Sequence, residues 1–145
     1  MASGDTPKTV LLKGDPLAQE TNGAGAIIPG HLLERDSGGT VSVHSVAGGR
    51  ALPMFAREEE YVGGTIDTAY ASGDRIPHYT GRAGDWFYAI LADNVNAPIG
   101  AFLESAGDGT LRLATTGGFP IARAVQAVNT TGGATATARI KVEVL

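Results

Sequence analysis

Residues 85–93 read DWFYAILAD and residues 138–145 read ARIKVEVL, and these two runs decide the fold. In the second run, Ile140, Val142 and Val144 alternate with Arg139, Lys141 and Glu143. Successive side chains of a strand point to opposite faces, so this alternation predicts a β-strand with one buried face.

The first run is apolar at every position from Trp86 to Leu91. As a strand it would place Trp86, Tyr88 and Ile90 on one face and the residues between them on the other. A strand that is apolar on both faces is covered on both. Either it lies in a closed barrel, or a second subunit buries its outer face. We therefore predict an oligomer interface at Trp86, Phe87 and Tyr88.

Three further apolar runs lie between these two and are separated by residues typical of turns. They are IGAFLES (99–105), TLRLAT (110–115) and IARAVQAVN (121–129). The last run also fits a helical spacing, but its short length and its neighbours favour a strand. Glycine, at 21 of 145 residues, is about twice as frequent as its usual ~7 %. Many chain reversals, and hence many short strands, follow from that excess.

The segment from residue 27 onward continues the strand pattern. TVSVHSV after Ser37-Gly38-Gly39 predicts a β-hairpin, and His44 should lie on its solvated face. Proline donates no hydrogen bond to a sheet, so Pro77 predicts that RIPHY is an edge strand or a bulge. The run Glu58-Glu59-Glu60 is interpreted as a solvated edge. These assignments make residues 27–145 one β-rich domain.

Residues 1–26 are predicted to form an extended N-terminal arm, because they are polar apart from Val10, Leu11 and Leu12. One hypothesis is that the arm orders on a partner and adds a strand to a sheet edge, with these three residues as its anchor. The alternatives are a first strand on the domain's own sheet and a frayed terminus.

Composition and motifs exclude several classes of function. A net charge of −4 with scattered basic residues argues against nucleic-acid binding. No apolar run reaches the ~20 residues of a membrane span, and MASGDTPKT does not resemble a secretory signal, so we expect a soluble protein made in a cytoplasm. The chain has no cysteine, and its three histidines show no metal-ligand spacing. No phosphate loop, dinucleotide motif or nucleophile elbow is present. We predict no catalytic residue, metal or cofactor.

The order of these segments is similar to that of a known family. The segments that carry the similarity are LPMFAREEEYVGG, Gly73-Asp74-Arg75, Gly84-Asp85 and GAFLESAGDGTLR. In this arrangement, which covers most of residues 26–145, the chain resembles the head decoration, or cement, proteins of tailed bacteriophages.

The resemblance implies a small β-barrel or tulip-like domain on the outer surface of an assembled capsid. Such proteins bind the major capsid protein, typically as homotrimers, bridge neighbouring subunits, and carry no enzymatic activity or cofactor. The residues leave two other functions open. One is a carbohydrate-binding or fibre-type β module, which needs exposed aromatic side chains. The other is a small enzyme, which needs a polar cluster in a cleft.

Overall fold

The computed structural model describes residues 6–132 and 136–145, and these residues form a mainly β structure. They contain one short 3-10 helix, Glu60–Val62, and no α-helix. The predicted fold class is therefore confirmed. The strands in chain order are β1 (Leu11–Lys13), β2 (Leu17–Asn22), β3 (Leu33–Arg35), β4 (Val41–Val43), β5 (Met54–Ala56), β6 (Arg75–Thr80), β7 (Trp86–Leu91), β8 (Asn96–Ala97), β9 (Phe102–Ser105), β10 (Leu111–Leu113), β11 (Ala122–Ala124), β12 (Val128–Asn129) and β13 (Ala138–Val144).

Five strands close into a barrel in the order β7-β10-β9-β11-β13, because β13 also pairs with β7. The β13–β7 ladder is the longest of the barrel and runs antiparallel from Ala138 opposite Leu91 to Glu143 opposite Trp86. β10 pairs with β7 in parallel at Leu111 and Leu91. The two runs that decide the fold are thus neighbours, and their alternation places one face of each inside the barrel.

The barrel interior is narrow and is filled by one face of each strand. Phe87, Leu91, Leu103, Leu111 and Ile140 are fully buried. Alanine occupies the inward positions of β11, which suits a five-stranded barrel with little internal space. At Gly81 the backbone passes so close to the Phe87 ring that a β-carbon would lie 2.6 Å from it.

β1 extends the barrel sheet beside β7, β8 pairs with β12 against the barrel cluster, and the sheets β2-β6-β5 and β3-β4 pack around a second apolar cluster. β3 and β4 form the predicted hairpin, in which Leu33 lies opposite Val43. The Asp36 side chain closes its turn by accepting hydrogen bonds from the amides of Gly38 (3.0 Å) and Thr40 (3.1 Å). The second cluster consists of Ile27, Leu33, Val41, Met54, Ala56 and Ile76.

The middle strand of the three-stranded sheet β2-β6-β5 is β6, so the prediction that Pro77 marks an edge strand is wrong. The carbonyl of Pro77 accepts a hydrogen bond from Arg57, which lies just beyond the end of β5. The position of the missing amide hydrogen faces the Arg57 carbonyl, which accepts a hydrogen bond from the Tyr70 hydroxyl instead. A central strand tolerates proline there because this side-chain donor replaces the lost ladder bond.

The outer face of β7 is covered by the same chain. Arg139, on β13, lies over the Tyr88 ring and donates hydrogen bonds to the carbonyls of Pro29 and Ile66, both at 2.6 Å. The backbone at Gly30 packs against Ile90. Of the two arrangements that the sequence left open for this strand, the structure has the closed barrel.

Candidate interaction surfaces

Of the predicted arm residues, Leu11 and Leu12 lie in β1, the first strand of the domain, and Val10 directly precedes it. The Val10 side chain is fully buried in the barrel cluster, and its carbonyl accepts a hydrogen bond from the Tyr88 amide at 2.7 Å. Leu11 pairs with Phe87, while the side chains of Leu11 and Leu12 are half-buried. This is the alternative in which the apolar island is a strand of the domain's own sheet. Capsid binding by Val10, Leu11 and Leu12 stays a prediction, and the burial of Val10 leaves only the other two side chains partly accessible.

A buried carboxylate holds this first strand. Glu58 accepts a hydrogen bond from the Val10 amide at 3.0 Å and is only 5 % exposed, so its interpretation as part of a solvated edge is wrong. Burial raises the pKa of Glu58, while the Val10 hydrogen bond and nearby Arg57 act in the opposite direction. The residue that bonds the carboxylate, Val10, directly precedes β1 and lies 48 residues earlier in the chain than Glu58.

The predicted oligomer-interface residues lie on β7. Phe87 is fully buried and Tyr88 is 9 % exposed, since the barrel covers one face and Arg139 the other. They are therefore not accessible to a second copy of the folded chain. Trp86 is half-buried, with its Nε1 donating to Glu143 at 3.2 Å and the Lys13 ammonium 4.9 Å from its ring centre. Contact between copies through Trp86 stays a prediction.

β2 forms a free sheet edge among the described residues. It pairs only with β6, and five of its six residues are exposed. Glu20 lies opposite Pro77, whose carbonyl points toward β5. In an antiparallel pair the backbone groups of two such residues face away from each other. The amides and carbonyls of Ala18 and Glu20 therefore point outward, available to another strand, whereas the end of β2 is closed by a bridge from Gly23 to Val41.

Exposed apolar and acidic side chains project together at the 3-10 helix, and we call this surface the acidic ridge. It comprises Tyr61 and Val62, which are 86 % and 81 % exposed, together with Glu59 and Glu60. The helix ends at Gly63, whose positive φ of 82° turns the chain so that the Gly64 amide reaches the Glu59 carbonyl at 2.9 Å.

Open hollows lie beside the ridge. One, of about 530 Å³, is lined by Val62, and another, of about 320 Å³, by Tyr61. Glu20 and Arg75 line both hollows and form an ion pair at 3.1 Å. Arg57 pairs with Glu60 at 3.7 Å. Glu59 and Asp74 also line the larger hollow, so the carboxylates around the ridge outnumber the guanidinium groups.

A second apolar surface, the basic patch, surrounds Arg50. It consists of Val46, Leu52 and Phe119, which are 58 %, 62 % and 41 % exposed, and of Arg50, whose guanidinium lies 4.5 Å from the Phe119 ring centre. Two open hollows, of about 320 and 480 Å³, share Arg50 and Leu52 in their walls.

The charges of the basic patch are the reverse of those of the ridge. Arg35 lines the smaller hollow beside Arg50. The one carboxylate there, Glu34, accepts hydrogen bonds from the Ser45 amide at 2.7 Å and from its hydroxyl at 3.1 Å. The donors from Ser45 are uncharged, so the patch presents two guanidinium groups against one carboxylate, the reverse of the balance at the ridge.

Buried polar residues fix the loops of the basic patch. His44 lies 2.7 Å from the Ser105 hydroxyl and 2.9 Å from the Arg50 carbonyl, and it is 4 % exposed. The prediction of a solvated His44 is therefore wrong, because the loop of residues 45–50 covers that face of β4.

Glu104 is the second of these buried residues. Its side chain is fully buried, and it accepts hydrogen bonds from Arg112 at 3.0 Å and Thr115 at 2.9 Å. Burial favours a higher pKa, but these partners outweigh it and hold the pKa of Glu104 below its usual value. The backbone at Gly118 closes over the carboxylate. Glu104 thereby anchors the loop that leads to Phe119.

The described residues provide no group of three or more histidine, aspartate and glutamate side chains placed to hold a metal ion. Within residues 6–132 and 136–145, no helix has the length and apolar character needed to cross a bilayer.

Comparison with known proteins gives a structural likeness only. No protein-family model matches the chain, and no curated protein matches it. Among solved structures, the chain is similar to the N base of head fiber gp8.5 of bacteriophage phi29, with a TM-score of 0.59. The likeness covers 89 % of this chain and 93 % of that chain at 10 % sequence identity. At this identity it shows a shared fold.

Proposed function

We propose that the chain is a structural protein of a phage virion that sits on the outer surface of the assembled head. There it binds the major capsid protein, bridges neighbouring subunits and so stabilises the shell, without a cofactor or a catalytic step. One observation carries the proposal: the fold is shared, over nearly the whole length of both chains, with the base of a phage head fibre. The sequence resemblance to head decoration proteins supports it independently.

The physical role needs only a stable domain with adhesive surfaces. A ligand that binds the assembled lattice in preference to free subunits stabilises the lattice by mass action. Many copies on one shell, linked into trimers, make weak individual contacts effective. In this proposal the N-terminal segment contacts the capsid through the free edge of β2 and through the half-buried Leu11 and Leu12.

Tyr61 favours a second candidate function, a carbohydrate-binding module. An aromatic ring that is 86 % exposed beside carboxylates is an arrangement that suits a sugar ring and its hydroxyls. Glycan binding requires the Tyr61 ring to contact the sugar, whereas binding to a head through the β2 edge does not.

The test is co-sedimentation of the purified protein with undecorated phage heads, with a glycan resin assayed in parallel. The proposal expects saturable binding to heads, no retention on the resin, and heads that withstand a higher temperature once decorated. If the resin retains the wild type, the variant Tyr61→Ser tests the second candidate, which expects that retention to be lost. Absence from the head fraction at saturating concentration would contradict the proposal.

The variant Ala18→Pro tests the capsid-facing edge. It removes an outward amide of β2 without removing a hydrogen bond to β6, so the domain should melt as the wild type does while head binding weakens. Unchanged binding would exclude the β2 edge as the contact.

A further inference from the structure

We infer that two copies of this chain bind each other through different surfaces, with the acidic ridge of one copy seated on the basic patch of the next. The inference goes beyond the proposed function because it concerns the free protein and requires no capsid.

Both surfaces expose apolar side chains to solvent. Tyr61 and Val62 on the ridge and Val46 and Leu52 on the patch are each more than half exposed. Single exposed apolar residues need no explanation, but clusters beside open hollows are typical of interaction sites. A tyrosine that projects freely is also a common anchor in protein interfaces.

The acidic ridge and the basic patch carry an excess of opposite charges. Around the ridge, four carboxylates stand against two guanidinium groups, whereas at the patch two guanidinium groups stand against one carboxylate; the groups are Glu20, Glu59, Glu60, Asp74, Arg57 and Arg75 at the ridge and Arg35, Arg50 and Glu34 at the patch. Pairing of the ridge with another ridge, or of the patch with another patch, would oppose like charges and cost free energy. Pairing of the ridge with the patch opposes unlike charges, and both surfaces are present on every copy.

The shape of the basic patch suits a side chain that projects from the acidic ridge. The two hollows of the patch meet at Arg50 and Leu52, which gives an apolar concavity for a side chain that projects from the ridge. Arg50 already lies over the Phe119 ring, so its guanidinium is placed to contact a second aromatic ring such as Tyr61. The hydrogen bond from His44 to the Arg50 carbonyl holds this backbone in place before binding.

Because the contact joins two different surfaces, each copy can bind one neighbour through its acidic ridge and another through its basic patch. Such contacts build closed assemblies when the rotation between copies closes. The proposed trimer on the head is one assembly of this kind.

The experiment uses the absence of cysteine from the chain. Leu52→Cys and Val62→Cys are prepared separately, mixed in equal amounts and oxidised. The inference expects a disulfide-linked dimer in the mixture and little in either variant alone. Ile99→Cys, which is 70 % exposed and lines neither surface, replaces Leu52→Cys in the control and should give no such dimer.

A second measurement does not depend on disulfide geometry. Sedimentation velocity compares Val62→Asp, Leu52→Asp and the control Ile99→Asp, each after a thermal melt that shows it is folded. The first two should associate at least about tenfold more weakly than the wild type, while the control is unchanged. A mixture of the first two should form a complex, because one intact ridge then meets one intact patch.

Three results would overturn the inference: a wild-type protein that is monomeric at every concentration reached, ridge and patch variants that associate like the wild type, or a mixture that associates no better than its components. None of these results bears on head binding, which is measured separately. Likewise, a chain that fails to bind heads could still form the ridge-to-patch contact.

Discussion

Truncating Val10 to alanine should destabilise the whole domain. The side chain is fully buried, and the change removes two methyl groups at about 0.8 kcal/mol each, with a further loss for the cavity that remains. The expected loss is about 2 kcal/mol in the free energy of unfolding. For a domain of this size that corresponds to a melting temperature lower by about 4–8 °C.

Urea denaturation followed by tryptophan fluorescence measures this loss. Trp86 is the only tryptophan and lies beside Lys13 at the end of β1, so it reports on the same part of the structure. Lys8→Ala, at an exposed position two residues earlier, is the matched control and should change stability by less than about 0.5 kcal/mol. If Val10→Ala is as stable as Lys8→Ala, residues 10–13 form an arm in the free protein and the strand assignment fails.

Three further predictions concern buried groups. Glu104→Gln should lower stability near neutral pH, and the deficit should shrink in acid, because the lowered pKa of Glu104 contributes stability that is lost as pH falls through it; urea melts at pH 7 and in acid compare the two. Gly118→Ala should lower the melting temperature, because a β-carbon there would overlap the buried carboxylate, whereas Gly38→Ala, with 3.4 Å to its nearest atom, should not clash. Burial lowers the pKa of His31 to about 4, so the unfolded chain binds a proton that the folded chain does not, and stability should fall from about pH 6.5 toward pH 4. His31→Gln should flatten that decline in a series of melts, and an equally steep decline would assign it to other groups.

The sequence predicted the barrel because the deciding signals are local. The alternation in β13 and the unbroken apolar run of β7 each fix which faces are buried, and closure was one of the two arrangements open for β7. The structure adds what covers each face of β7: the barrel interior covers one, and Arg139 and the backbone at Gly30 cover the other, without a second subunit.

The environments of Glu58, His44 and Pro77 were predicted wrongly because they depend on contacts with other parts of the chain. Glu58 binds a strand 48 residues away, and His44 binds Ser105, 61 residues away. Pro77 is tolerated because the Tyr70 hydroxyl donates to the Arg57 carbonyl, which the missing Pro77 amide hydrogen would otherwise have bonded. None of these contacts leaves a periodic signal in the neighbouring sequence.

The candidate surfaces were beyond sequence analysis for a related reason. EYVGG and RALPMF contain apolar residues that look the same whether buried or exposed. Exposure of Tyr61 depends on a 3-10 helix that no propensity pattern marks, and exposure of Leu52 depends on the position of β5. For the same reason the sequence left the role of residues 10–12 open, since a three-residue apolar island fits a strand of the domain and a partner anchor equally well.

Electron cryo-microscopy of undecorated heads, before and after saturation with the purified protein, tests the central claim most directly. The account predicts new density on the outer surface, repeated over the shell with three-fold symmetry, that fits this barrel and touches neighbouring capsid subunits. Heads that carry no added density at saturation, or density confined to the interior, would contradict it.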